Sequence, residues 1–154
     1  MLVGYKYPIG VDIVSKSQVL SQLSPMELSS LFSNGEIQGL LEMDSVKRND
    51  VLLMNVGLKE AYMKCTGEPD WDSLASIEFV DVQVPKEDWK GVTPAASGVY
   101  VNGQSVGGYT ECHLFDDRHF ITVYTSEPPV DIGKFVHISF EDLLSAGTSR
   151  YSRE

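Results

Sequence analysis

The chain reads as an α+β protein: a helical N-terminal half packed on an antiparallel β-sheet of about four to five strands formed by the C-terminal half, with a short C-terminal helix. Three observations predict this. Apolar residues recur at helical spacing up to about residue 66, the period falls to two after Ser76, and turn pairs such as Asn102-Gly103 then separate short β-branched runs. At 154 residues the chain fits a single domain, 1–154, which divides into a mainly helical part (1–66) and a mainly β, acidic part (67–154).

Element by element, a helix is expected around Ser17 to Leu23. A second begins at Ser24-Pro25-Met26-Glu27, where Ser24 can cap, Pro25 suits the first helical position and Glu27 can reach back. Leu28, Leu31 and Phe32 supply its apolar face, and Asn34-Gly35 reads as its stop. Asp50 is expected to cap a longer helix whose Val51, Met54, Leu58, Ala61 and Cys65 form one core stripe, ended by Thr66-Gly67 and Pro69. SIEFVDVQV from Ser76 is a strand and 85–98 a loop. GVYV, Asn102-Gly103 and QSVGGY make a type I′ hairpin, because Asn-Gly tolerates two positive φ angles. YTECHLF, Asp116-Asp117 and RHFITVYT make a second hairpin. KFVHISF is a strand, and a short helix follows, capped by Ser139 and stopped by Gly147.

The stretch ECHLFDDRHF (111–120) holds one cysteine, two histidines and three carboxylates, the densest group of metal-ligating residue types in the chain. With a two- or four-residue turn, Cys112, Leu114, Ile121 and Val123 share one face, and Glu111, His113, Thr122 and Tyr124 the other. Cys112 and His113 then point apart, and no face collects the three or four ligands that zinc needs. No metal and no other cofactor is expected. Gly103-Gln104-Ser105-Val106-Gly107 has the G-x-S-x-G spacing of a nucleophile elbow, but strand-forming residues flank it where a strand-turn-helix is required, so Ser105 is not expected to be a nucleophile. His137-Ile138-Ser139 offers one H-x-S and no second copy. Cys65 and Cys112 both fall at core positions and are expected to be free thiols.

The net charge is −10, from 22 acidic and 12 basic residues. Residues 1–66 carry seven acids and six bases, so the part from 67 onward carries −9. Such a balance disfavours nucleic acid, which needs clustered Lys and Arg. No run of about 18 apolar residues exists to span a membrane, and the start MLVGYKYPIGVDIV lacks the pattern of a secretory leader, so a cytoplasmic location is expected.

Small size, one-sided negative charge and the lack of a complete catalytic motif point to an acidic inhibitor that neutralises a basic protein, of the toxin-immunity or phage-encoded type. Its contacts are expected at Asp116, Asp117, Glu87, Asp88, Trp89, Glu127, Asp131 and His113, since hairpin tips and acidic loops with tryptophan make good interface anchors. Two alternatives stay open: a small enzyme using His113 or His137 with a carboxylate, and a structural or assembly subunit whose acidity serves solubility.

Overall fold

A computed structural model of the protein describes residues 7–67, 71–85 and 94–128. Strand β1 (Ile9–Ser15) comes first. Helices α1 (Pro25–Leu31), α2 (Asn34–Leu41) and α3 (Ser45–Thr66) follow, then strands β2 (Ile77–Val80), β3 (Gly98–Val101), β4 (Gln104–Val106), β5 (Tyr109–Asp116) and β6 (His119–Thr125). The strands form two antiparallel three-stranded sheets, ordered β1-β6-β5 and β2-β3-β4. The α+β class therefore holds, with six described strands in two sheets rather than four to five in one. The strand KFVHISF and the C-terminal helix expected after it lie outside the described residues.

Strand β1 corrects the reading of residues 1–66 as helical. In PIGVDIV, Ile9, Val11 and Ile13 alternate with Gly10, Asp12 and Val14, and the run pairs with β6 from Ile9↔Thr125 to Ser15↔His119. The N-terminal part thus contributes an edge strand to the sheet whose other strands come from the C-terminal part. The expected helix over Ser17 to Leu23 is a single 3-10 turn, Leu20–Gln22, with no side-chain cap at Val19. Asn49 of α3 holds it instead, accepting from the Leu20 amide at 3.0 Å and donating to the Gln18 carbonyl at 3.2 Å.

Ser24 and Glu27 form the expected capping box of α1. Asn34-Gly35 does not end the helical region, because Ser33 and Glu36 make a second capping box that starts α2 at once. Helix α3 begins five residues before the expected Asp50: Asp44 accepts from the Lys47 amide at 3.0 Å, while Asp50 lies inside the helix, 3.7 Å from Lys16. Its end is as expected, with Gly67 in the left-handed region (φ 75°) and its amide donating to the Met63 carbonyl.

The five residues of the expected stripe on α3 are all buried, and so are Leu52, Leu53 and Tyr62 on its other sides. A helix apolar around most of its circumference belongs at the centre of a fold. Sheet β1-β6-β5 packs under α3, β2 lies along one flank, and α2 covers the rest. The approach of β1 is close enough to require glycine. A Cβ at Gly10 would stand 1.7 Å from the Ala61 carbonyl oxygen, and one at Gly57 would meet Val14 at 2.6 Å and Thr122 at 2.9 Å.

The second hairpin departs from its expected register. Phe115 is bulged between Leu114↔Phe120 and Asp116↔His119, and one extra residue exchanges the faces of a strand. Phe120, Thr122 and Tyr124 therefore join Cys112 and Leu114 under α3, while Ile121 and Val123 share the opposite face with Glu111 and His113. The first hairpin matches expectation, with Asn102 at φ 50° and Gly103 at φ 76°.

One buried ion pair ties the layers together. Lys59 of α3, fully buried, donates to Glu36 of α2 at 2.7 Å, to the Leu31 carbonyl at 2.8 Å and to the Leu74 carbonyl at 3.1 Å. An ammonium has three N–H donors, and all three are used. The Glu36 carboxylate also accepts from the amides of Ser33 and Phe79. Burial raises the Glu36 pKa and lowers that of Lys59, and their mutual attraction opposes both shifts. Removing one partner strands the other charge, so Lys59→Met is expected to destabilise the protein by about 3–5 kcal/mol. The double variant Lys59→Met/Glu36→Gln, which keeps an acceptor for the Phe79 amide, should cost less than the single one. Urea denaturation of both measures the difference.

Candidate active site

Because Gly10 and Val14 face α3, Asp12 between them faces it too, and the next polar residues along that flank of the helix are Glu60 and Lys64. The Lys64 ammonium donates to Asp12 Oδ1 at 2.7 Å and to the Val11 carbonyl at 3.1 Å. The Glu60 carboxyl lies close enough to Asp12 for the Asp12 charge to perturb its ionisation. These residues sit at the outer edge of β1, which pairs with β6 alone among the described strands. Asp12 is largely shielded, its side chain 12% exposed, whereas Lys64 is 52% exposed.

Two carboxyls held this close cannot both ionise at ordinary cost. Burial and the Asp12 charge hold Glu60 above the usual glutamate range, with Lys64 opposing. Among the described residues no group of three or more His, Cys, Asp or Glu is arranged to hold a metal. Asp12 and Glu60 nevertheless fit a hard divalent cation such as Mg²⁺. That ion takes oxygen donors, and it is commonly held by only one or two carboxylates, with substrate phosphates and water completing its shell.

The residues singled out from sequence fall elsewhere. Asp116 pairs with His119 at 3.0 Å, a hydrogen bond that holds the aspartate below its usual range. Asp117 is exposed at the hairpin tip, beside the Ser15 end of β1. His113 pairs with Glu111 at 2.9 Å on the sheet face turned away from α3. ECHLFDDRHF thus separates into two His–carboxylate pairs that do not converge. Glu127 is exposed just after β6. Glu87, Asp88, Trp89, Asp131 and His137 lie outside the described residues. Ser105 is exposed on β4, opposite Tyr100 and with no helix after it, so the nucleophile-elbow context is missing. Cys65 and Cys112 are free and buried, and burial pushes both thiols up, away from the reactive thiolate.

Sequence reasoning missed Asp12, Glu60 and Lys64. The available signal was one acid inside a β-branched run, together with an i, i+4 Glu-Lys pair flanking a helix stripe that otherwise enters the core.

The fold and the site define an α+β protein with paired carboxylates and a half-exposed lysine at a sheet edge, an arrangement suited to ligands that carry phosphate. A family model, ACPS, the 4'-phosphopantetheinyl transferase superfamily, matches residues 8–101, more than half of the 154-residue chain, and the chain belongs to this family. The match spans β1 through β3 and so contains all three site residues. A comparison with curated proteins finds no match. Family membership overturns the reading as an acidic inhibitor or immunity protein, which rested on net charge and on the lack of a familiar motif. Among the described residues no helix is long and apolar enough to cross a membrane.

A carboxyl with a raised pKa in the folded state binds its proton more tightly folded than unfolded. Its contribution therefore favours the fold at low pH and is lost as pH rises from the unfolded value through the raised one. Glu60→Gln is expected to raise the melting temperature of the cation-free protein at pH 7 and to leave it nearly unchanged at pH 4. Calorimetry at the two pH values checks this.

Proposed function

We propose that the protein transfers a 4'-phosphopantetheinyl group to a hydroxyl on an acceptor protein of the acyl-carrier type. The observation that carries this reading is the Asp12–Glu60 carboxylate pair with Lys64 against it, inside the residues matched by the family. Coenzyme A, which bears that group on a pyrophosphate, is the donor by chemical class. The acceptor hydroxyl oxygen forms the new P–O bond, and the anhydride P–O bond of the donor breaks, leaving the nucleotide with its terminal phosphate.

Asp12 and Glu60 would hold a divalent cation, whose contribution when bound is to offset charge on the donor phosphates. Lys64, released from Asp12, is long and exposed enough to donate to the same phosphates. Among the described residues the outer edge of β1 faces solvent, and the proton of the attacking hydroxyl leaves to water there. A protein acceptor requires surface next to the site, and the outer edge of β1 supplies it. A basic partner is not implied.

The test is incubation with coenzyme A, Mg²⁺ and a panel of carrier proteins, with intact-mass detection of one added phosphopantetheinyl group. Asp12→Ala and Glu60→Ala are expected to lower the transfer rate at least about 100-fold, as loss of a transition-state charge stabiliser does. The failure of every acceptor to gain the group, or an Asp12→Ala protein as active as the wild type, would refute the reading.

A further inference from the structure

Thr122 is the residue of β6 that pairs directly with Asp12 of β1. Both face α3: Thr122 packs on Gly57, and Asp12 lies between Gly10 and Val14, which pack on Ala61 and Gly57. Directly opposed residues on one face of an antiparallel pair have Cβ atoms about 4.5–5.5 Å apart, so a hydroxyl and a carboxylate extending from them meet without movement of the backbone. The Thr122 side chain is fully buried, and its hydroxyl has no hydrogen-bond partner. A buried hydroxyl left this way is costly, and valine has the same shape without that cost. That cost calls for an explanation, and the neighbouring Asp12 provides one.

In the cation-free protein the Lys64 ammonium donates to the Asp12 carboxylate at 2.7 Å. A divalent cation on that carboxylate takes the place of the ammonium, and Asp12 is left without this donor. We infer that Thr122 is the positioning residue of Asp12: its hydroxyl donates to the Asp12 carboxylate in the cation-bound state and fixes the orientation in which that carboxylate holds the ion. Partners of this kind behind a metal-binding carboxylate commonly contribute 10- to 100-fold to affinity, hence about 10-fold or more is expected here. The inference rests on the cation site proposed above.

The experiment is a Mn²⁺ titration of the full chain, with free Mn²⁺ read by electron paramagnetic resonance, beside thermal unfolding without any divalent cation. Thr122→Val should bind Mn²⁺ about 10-fold more weakly than wild type, while melting at the same or a higher temperature in the absence of Mn²⁺. Thr122→Ser, which restores the hydroxyl, should bind nearly as wild type does. Thr122→Ala removes the hydroxyl without adding bulk and should show the same loss, which covers the case of a poorly folding valine variant. Undiminished Mn²⁺ affinity in the valine and alanine variants, with Asp12→Asn abolishing binding, would overturn the role of Thr122 and leave the cation site standing. A folded wild-type protein that binds no Mn²⁺ would overturn both.

Discussion

The Lys59–Glu36 pair is the constraint on which the rest of the structure depends. Three separate parts of the chain end on these two side chains: the last carbonyl of α1, the first turn of α2, and the stretch from Leu74 to Phe79 that leads into β2. A hydrophobic pair of the same volume would serve stability as well or better, but it would not specify direction. Each bond here has one donor and one acceptor at a fixed angle, so the pair sets how far α3 is rotated about its own axis. Lys59 and Glu60 are consecutive, roughly 100° apart around the helix. Fixing the first toward α2 aims the second at the edge of β1.

Rotation alone does not bring the carboxylates together; the spacing between β1 and α3 must also be short. Gly10 and Gly57 remove the side chains that would separate strand from helix, and Ala61 adds only a methyl group. The cost is conformational entropy in the unfolded chain, about 0.5–1 kcal/mol for a glycine in a helix interior such as Gly57. What it produces is an aspartate, an unusual residue for the covered face of a strand, held against a glutamate on the neighbouring helix.

Much of the fold was legible because it follows local rules. The Ser24 capping box, the α3 stripe, the Gly67 stop and the Asn102-Gly103 turn are each decided within a few residues of sequence, and each is found. The misses have physical causes of the same scale. Ser33-x-x-Glu36 is a second capping box that overrode the Asn34-Gly35 stop, and Asp44 competed successfully with Asp50 for the start of α3. The bulge at Phe115 was not visible in the alternation of its own strand, and it moved Phe120 into the core in place of Ile121. The site was the least legible part. Its residues lie 48 positions apart, at Asp12 and Glu60, and they meet only because an N-terminal strand pairs with β6. A strand such as PIGVDIV, whose partner comes more than a hundred residues later, announces itself weakly. In ECHLFDDRHF the local density of ligand-type residues is a poor guide to a site: each histidine there pairs with a carboxylate of its own.

The resting cluster also explains how a pair of acids is tolerated at the edge of a core. Two carboxylates bring two negative charges. One is offset directly by the Lys64 ammonium, 2.7 Å from Asp12. The other is opposed by burial and by the Asp12 charge, which hold Glu60 above the usual glutamate range. Under the proposed function a divalent cation would supply the positive charge that this second carboxylate lacks. The ammonium it would displace from Asp12 would then stand at the half-exposed mouth of the site, where an anionic phosphate is the natural partner for it.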